Sequence, residues 1–234
     1  MSMRPGGELA TRPLHFIWMA DCSGSMAVDG KIQSLNTAIK EAIPNMQTVA
    51  DENPNAQVLV RAIKFSSGAQ WHVSQPTEVA DFKWDDLTAE GVTDMGRALS
   101  LVAEQLAIPP MTERALPPVL VLISDGQPTD DYASGLKAVM EQPWGRKAVR
   151  IAIAIGEDAD TEVLQRFIGN PELKPLQANN PESLVKYIKW VSTAVLKSAS
   201  SPASQTLDSA TPGANVPIPV LPESASSSAA DDVW

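Results

Sequence analysis

LHFIWMADCSGS, residues 14–25, is a strand-length apolar run that leads directly into a polar loop. The run ends at Ala20 and suits a strand that is buried on both faces, as in a parallel sheet. Asp21, Ser23 and Ser25 follow at alternate positions, so a carboxylate and two hydroxyls can converge on one hard cation. The stretch therefore predicts a buried strand that ends at a metal-dependent site.

Predicted strands and helices alternate along the rest of the chain. Further strands are predicted at residues 57–65, 69–73, 119–123, 149–155 and 174–177. Apolar residues at helical spacing predict helices at residues 32–46, 95–106, 131–142, 161–168 and 181–195, and Pro44 is expected to kink or restart the first helix. The second and third strands are close enough for an antiparallel hairpin at one edge. The pattern predicts an α/β fold with a Rossmann-like, doubly wound, mostly parallel six-stranded sheet, one antiparallel edge strand and helices on both faces.

Composition predicts one domain followed by a tail. The chain has 234 residues, of which 44% are hydrophobic, enough for one α/β core. We place a flexible N-terminus at residues 1–11, the domain at residues 12–198 and a Ser/Ala/Pro-rich tail at residues 199–234. The apolar, proline-containing part of the tail is either a ligand for a partner or a cover for the domain's own surface. The Ser and Thr residues of the tail are an ordinary linker composition or a kinase substrate.

Charge and cysteine content limit the class of partner. The net charge of −10 and the pI near 4.7 disfavour nucleic acid and anionic membrane surfaces. The single cysteine, Cys22, excludes an internal disulfide and is compatible with a reducing compartment. No apolar run approaches the length of a membrane helix, and the N-terminus shows no secretion signal. We therefore expect a cytoplasmic protein with protein or metal partners.

Five oxygen-bearing residues fall on three predicted loops at the ends of strands. Asp21, Ser23 and Ser25 occupy the first loop, Thr93 starts a helix, and Asp125 follows the strongest predicted strand. Ligands in open α/β sheets bind beyond the carboxyl ends of the strands, so these three loops can meet at the carboxyl-terminal end of the sheet. Oxygen donors alone suit Mg²⁺, Mn²⁺ or Ca²⁺ rather than zinc or copper. One coordination position could remain for the carboxylate of a partner.

These positions resemble the von Willebrand factor A (VWA) domain family. Its metal-ion-dependent adhesion site reads DxSxS on the first loop, Thr on the second and Asp on the third, and this chain matches at Asp21, Ser23, Ser25, Thr93 and Asp125. The resemblance covers roughly residues 12–198. It implies a Rossmann-like sheet, Mg²⁺ held by these five residues, and binding of an Asp or Glu of a partner protein through the metal.

Text around the motif is similar to the bacterial TerY-type proteins of tellurite resistance and related stress operons. The matching strings are DCSGSM at residues 21–26, LISDGQPTDD at residues 122–131 and KWVS at residues 189–192. This resemblance implies a cytoplasmic adaptor that works with a Ser/Thr kinase and a 2C-type phosphatase. Val92 departs from the commonest pattern, where a second Gly is usual, and its β-branch should stiffen the Thr93 loop.

Three functions remain to be compared. A binding module is favoured over an enzyme because the chain has neither a G-x-S-x-G nucleophile elbow nor a P-loop, and no His is near the motif. A metal-dependent phosphohydrolase would use Asp21 as nucleophile, but Ser23 stands where the second acidic residue would act. The other alternative is a subunit of an AAA+ ATPase assembly of the chelatase type, which uses the same domain family.

Other reactive or aromatic side chains have two interpretations each. Cys22 is either a redox switch or, as we favour, a small buried residue. His15 and His72 have no neighbouring residues at metal-ligand spacing and are expected to be ordinary packed or solvated histidines. Three tryptophans near predicted loops could form an interface or pack in the core: Trp71, Trp84 and Trp144.

Overall fold

The computed structural model describes residues 11–200 and 216–220, and its strands form a six-stranded sheet. The order across the sheet is β3-β2-β1-β4-β5-β6. The strands are β1 (Arg12–Asp21), β2 (Ala56–Ser66), β3 (Gly68–Glu78), β4 (Val119–Ser124), β5 (Val149–Ile155) and β6 (Leu176–Ala178). Only β2 and β3 pair in antiparallel fashion; the other neighbours are parallel. The predicted α/β fold class, with its antiparallel edge strand, is confirmed.

Helices cover both faces of this sheet. They are α1 (Lys31–Asp51), α2 (Met95–Gln105), α3 (Tyr132–Glu141), α4 (Pro143–Lys147), α5 (Thr161–Ile168), α6 (Pro181–Trp190) and α7 (Leu196–Ser200). A π-helical turn, Val191–Val195, joins α6 to α7, and a 3-10 segment, Gly24–Gly30, precedes α1. Helix α1 connects β1 to β2, α3 and α4 connect β4 to β5, and α5 connects β5 to β6. These connections are the crossovers that parallel strands require.

Alternation along β1 divides the core between the two faces. Phe16 and Trp18 belong to the cluster that includes α1 and α6, whereas Ile17 and Met19 belong to the cluster that includes α2, α3 and α5. All four side chains are almost fully buried. This two-sided burial explains why β1 is a continuous apolar run rather than an alternating one.

The chain reverses its direction of travel across the sheet between β1 and β4. From β1 it proceeds to β2 and β3 on one side, and from β4 to β5 and β6 on the other. The two strands pair in parallel register, with Ala20 opposite Ile123. Asp21 and Asp125 therefore lie side by side at the carboxyl ends of these two central strands. This place is the switch point where such folds bind ligands.

Some element boundaries differ from those predicted. The first helix does not restart at Pro44, because this residue lies on the exposed side of α1, where water can hydrate the carbonyl that loses its partner. Strand β3 extends to Glu78, beyond the predicted end at residue 73, because an edge strand with mostly polar residues carries little apolar signal. Helix α4 was not predicted.

Part of the tail packs on the domain. Val216 and Ile218 are partly buried against the cluster that includes α1 and α6, and the hydroxyl of Ser198 donates to the carbonyl of Pro217. The last described helix runs to Ser200, two residues beyond the predicted domain boundary. Predictions for residues 1–10 and for the rest of the tail fall outside the described residues. Within the described part of the chain, every helix is too short or too polar to cross a membrane.

Candidate metal centre at the carboxyl ends of the central strands

Asp21, the last residue of β1, is the most buried carboxylate of the site. Its Oδ1 accepts the backbone N–H of Ser23 at 2.8 Å, and its Oδ2 accepts the hydroxyl of Ser124 at 2.5 Å. Its relative exposure is 0%. Burial raises the pKa of Asp21 to about 6, although these hydrogen bonds lower it. No ion pair reaches Asp21 from the described residues, so its charge has polar partners but no counter-charge.

The two serines of the first loop connect Asp21 to Asp125. Ser23 Oγ and Ser25 Oγ lie 3.0 Å apart, and the Ser25 hydroxyl donates to Asp125 Oδ1 at 2.7 Å. Ser23 is buried and Ser25 is exposed, so the row of oxygens runs from the interior to the surface. The loop can turn here because the N–H of Gly24 donates to the carbonyl of Gly91 at 3.0 Å, which joins the first and second loops.

Thr93 and Asp21 both lie close to Gly126. A Cβ placed on Gly126 would lie 3.3 Å from Thr93 Oγ1 and 3.9 Å from Asp21 Oδ2. Thr93 itself is 5% exposed. A side chain at position 126 would therefore crowd both oxygens, and glycine leaves that space open.

The residues present fit a hard divalent cation. The donor atoms on the three loops are all oxygens. Two of the five donor residues are aspartates, whose carboxylates balance the double positive charge of the cation. No group of three or more His, Cys, Asp or Glu in the described part of the chain could hold a metal by itself, which is expected where hydroxyls complete the donor set. The buried Asp21 without a counter-charge is the feature that a cation would satisfy most directly.

Lys31 is a charged neighbour of the site that sequence reasoning missed. Its Nζ lies 3.0 Å from Asp125 Oδ2, and the side chains are 11% and 0% exposed respectively. Lys31 is the first residue of α1, where a basic residue opposes the helix dipole. That unfavourable position was the available signal, but a lysine in a helix is ordinarily solvated, and its partner lies 94 residues away.

The DGQPTDD string holds the second loop in place. Asp130 accepts the backbone N–H groups of Gly96 and Arg97, each at 2.8 Å, and so satisfies donors at the start of α2. Thr129 contacts Thr93 through two hydrogen bonds. The string therefore acts on the Thr93 loop as well as carrying Asp125 at its start.

A buried asparagine anchors the long segment that leads to Thr93. Asn36 Oδ1 accepts the indole N–H of Trp84 at 3.0 Å and the backbone N–H of Leu87 at 2.9 Å. The Asn36 amide donates to the carbonyl of Leu87 at 2.9 Å. Helix α1 thus fixes a loop that has no regular structure of its own after residue 81.

The remaining side chains of interest lie in ordinary environments. Cys22 is 3% exposed, and burial raises the pKa of its thiol to about 12, which opposes thiolate chemistry. Trp84 and Trp144 are buried, and Trp71 lies under the Arg61 guanidinium at 3.8 Å. His72 Nε2 forms a hydrogen bond with the carbonyl of Asp85 at 3.0 Å.

A model of the von Willebrand factor type A domain matches residues 17–188. The chain belongs to this family. The match begins within β1 of the VWA domain and ends within α6, so it includes the five candidate ligands, the second half of β1 and the other five strands. A comparison with curated protein sequences gave no match.

Solved structures show the same fold at low sequence identity. A von Willebrand factor type A protein from Catenulispora acidiphila has a TM-score of 0.62 and 18% identity over 81% of this chain and 43% of its own. The ArnB paralog VWA2 from Sulfolobus acidocaldarius has a TM-score of 0.57 and 17% identity over 76% of this chain and 45% of its own. The chain spans less than half of either structure.

Proximal thread matrix protein 1 from the mussel byssus is a third structural relative. Its structure with a zinc-occupied MIDAS motif has a TM-score of 0.58 and 18% identity over 81% of this chain and 48% of its own. At this identity the likeness is one of fold. The motif named there is the metal-ion-dependent adhesion site.

Proposed function

We propose that this VWA domain is a metal-gated protein-interaction module. Asp21, Ser23, Ser25, Thr93 and Asp125 hold one divalent cation, Mg²⁺ in the first instance and Mn²⁺ or Ca²⁺ as alternatives, and a partner protein supplies an Asp or Glu to the metal. The observation that carries the proposal is the proximity of oxygen donors from three loops: Thr93 Oγ1 and Asp21 Oδ2 lie beside Gly126, and Ser25 is hydrogen-bonded to Asp125. The buried Asp21 has no counter-charge among the described residues. The zinc-occupied motif of the mussel protein supports a divalent ion at this place in the fold.

The surroundings of the site suit a protein partner. Large apolar side chains are seldom exposed in the described residues, yet Val28 and Val92 are 54% and 48% exposed on the loops that carry the ligands. A polar cleft beside Cys22 is lined by Lys64 and Glu90, among others. A carboxylate flanked by apolar residues would find complementary contacts on such a rim.

Catalysis is not part of the proposal. General-base chemistry on Ser23 or Ser25 needs a base within hydrogen-bond reach. Asp125 accepts the Ser25 hydroxyl at 2.7 Å, but in this proposal its carboxylate binds the metal and is not free to act as a base. The chain's two histidines lie elsewhere: His15 is six residues before Asp21 on an extended strand, about 20 Å away, and His72 contacts the loop at Asp85. The hydroxyls of the serines are also committed as metal ligands in this account.

The biological setting follows from motif resemblance alone. The strings DCSGSM and LISDGQPTDD support a cytoplasmic adaptor of the bacterial TerY type, in tellurite resistance or a related stress response. In that setting the partners would be a Ser/Thr kinase and a 2C-type phosphatase. An AAA+ ATPase assembly would instead reveal itself by the identity of the co-purified protein.

Co-purification from cells tests the proposal. The tagged full chain is isolated with Mg²⁺ or with EDTA, alongside Asp21→Asn, Thr93→Ala and a matched control, Asp158→Asn, which removes an exposed carboxylate after β5. We expect one partner to be retained by the wild type and the control with Mg²⁺, and lost with EDTA or in the two site variants. Retention that survives both EDTA and Asp21→Asn would refute the proposal.

A further inference from the structure

We infer that Lys31 couples metal binding to the arrival of an anionic partner: it weakens the site for metal alone and strengthens the metal-loaded site for a carboxylate. The inference rests on the proposed function, because it concerns the charge of the same site. It adds a sixth residue, which donates nothing to the metal and acts through Asp125.

The Lys31–Asp125 contact differs from the other ion pairs among the described residues. Nζ and Oδ2 are 3.0 Å apart, and both side chains are largely removed from water. The remaining pairs all involve at least one side chain that is more than half exposed. Surface pairs of that kind contribute little, whereas a buried charge acts strongly on its neighbours.

Both oxygens of Asp125 are engaged. Oδ1 accepts the hydroxyl of Ser25 at 2.7 Å, and Oδ2 accepts Lys31 Nζ at 3.0 Å. Asp21, by contrast, accepts the Ser124 hydroxyl and the backbone N–H of Ser23, and no cationic side chain among the described residues pairs with it. The positive charge is therefore attached to one side of the site and leaves Asp21 for the metal to neutralise.

Counting charges shows the consequence. Asp21 and Asp125 supply −2 and Lys31 supplies +1, so the protein side of the site carries −1. A divalent ion brings the site to +1, and a partner's carboxylate brings it to zero. Without Lys31 the metal alone would give zero, and the carboxylate would leave a surplus of −1 in a poorly solvated place.

The same charge thus has opposite effects on the two ligands. Lys31 repels the cation and reduces the affinity for metal alone, and it attracts the anion once the metal is bound. Because binding linkage is reciprocal, a carboxylate must then increase metal affinity more in the wild type than in a protein that lacks the charge. The site would remain weakly occupied until a partner supplies its carboxylate.

A purely structural role makes a different prediction. If Lys31 only fixed the start of α1 against the Asp125 loop, its removal would loosen the donor set and weaken metal binding. Lys31→Met keeps an unbranched side chain only one atom shorter and removes the charge, whereas Lys31→Arg keeps the charge. The sign of the change in metal affinity therefore separates the two roles.

The test is calorimetric titration of the full chain with MnCl₂ and MgCl₂, with and without a high concentration of sodium acetate as the carboxylate probe. We expect Lys31→Met to bind metal alone about tenfold more tightly than the wild type, since a unit charge within about 6 Å of a divalent ion has roughly this effect in water. Lys31→Arg should resemble the wild type. Acetate should tighten metal binding more in the wild type than in Lys31→Met.

The possible failures are distinguishable. Metal affinity in Lys31→Met that equals or falls below that of the wild type overturns the inference and leaves the proposed function intact. An unfolded Lys31→Met, recognised by circular dichroism, is replaced by Lys31→Gln, and the same comparison decides. Absence of metal binding in the wild type and in every variant refutes the proposed function and the inference together.

Discussion

Thr93 and Thr129 exchange a reciprocal pair of hydrogen bonds. The backbone N–H of Thr93 donates to Thr129 Oγ1 at 3.1 Å, and the backbone N–H of Thr129 donates to the carbonyl of Thr93 at 2.9 Å. The Thr129 hydroxyl also donates to Asp94 Oδ1 at 3.3 Å. The loop that carries Asp125 therefore fixes the backbone from which the Thr93 side chain extends.

Replacing Thr129 should weaken the metal centre without touching a ligand. Thr129→Val removes the hydroxyl and leaves the N–H of the buried Thr93 without a partner, at a cost of about 1–3 kcal/mol. Thr129→Ser keeps the hydroxyl. We expect Mn²⁺ affinity, measured by calorimetry, to fall about tenfold or more in the valine variant and to stay near wild type in the serine variant. Equal affinities in all three proteins would show that Thr129 does not position Thr93.

Asn36 should be important for the loop that ends at Thr93. Asn36→Ala removes three hydrogen bonds and leaves the Trp84 indole and both backbone groups of Leu87 buried without partners. Unsatisfied buried groups cost about 1–3 kcal/mol each, so we expect an unfolding free energy lower by about 3 kcal/mol or more. Urea unfolding followed by tryptophan fluorescence measures it.

The matched control for that prediction is on the same helix. Asn45 is a partly exposed residue of α1, and its amide donates to the carbonyl of Glu41 in a hydrogen bond that is exposed to water. Asn45→Ala should change the unfolding free energy by about 0.5 kcal/mol or less, as is usual for exposed substitutions. Similar losses in the two variants would contradict the anchoring role of Asn36.

His15 should contribute to acid sensitivity. Burial, with Arg61 nearby, lowers the pKa of His15 to about 4, below the ordinary 6.5. The unfolded chain therefore binds more protons than the native protein between about pH 4 and 6.5, so this contribution to stability is complete above that window and decreases as the pH falls through it.

The corresponding variant is His15→Gln. Its unfolding free energy should fall less than that of the wild type between about pH 7 and pH 4, by on the order of 1–2 kcal/mol, since the ring is partly exposed. The comparison isolates His15 because Asp21, whose pKa is displaced upward by burial, is common to both proteins. Parallel pH profiles would show that His15 is not the group responsible.

The packed part of the tail offers a test with a neighbouring control. Ile218 is partly buried against the domain, whereas Val220 is 91% exposed. Ile218→Ser should lower the unfolding free energy by about 1 kcal/mol through lost apolar burial, and Val220→Ser should leave it unchanged. Thermal and urea unfolding of the full chain measure both. An Ile218→Ser variant as stable as the wild type would show that this contact contributes nothing.

Much of the fold was predictable from the sequence because buried strands and helices have characteristic local patterns of apolar residues. The doubly buried strands β1 and β4 are continuous apolar runs, and the crossover helices show apolar stripes at helical spacing. Parallel strands also place their carboxyl ends at the same end of the sheet. That geometric rule is sufficient to predict that Asp21 and Asp125 lie together, and they do.

Contacts between residues that are distant in sequence produce no such local pattern. In the sequence, Lys31 looks like an ordinary solvated lysine of a helix, and Asn36 looks like an ordinary uncharged polar residue of the same helix. Their roles depend on partners at Asp125 and Leu87, 94 and 51 residues away. Thr129 belonged to a string noticed for its resemblance alone, and its effect on Thr93 required the loops to be placed in space.

The central claim is that these loops hold a divalent metal, and calorimetric titration of the full chain with Mg²⁺ and Mn²⁺ tests it most directly. Wild type, Asp21→Asn and the control Asp158→Asn are compared in the same buffer, with and without a high concentration of sodium acetate, because the site is expected to bind metal weakly without a carboxylate. We predict one ion per chain in the wild type and the control, and loss of that binding in Asp21→Asn with the fold retained by circular dichroism. No binding in the wild type, or equal binding in Asp21→Asn, would contradict the account.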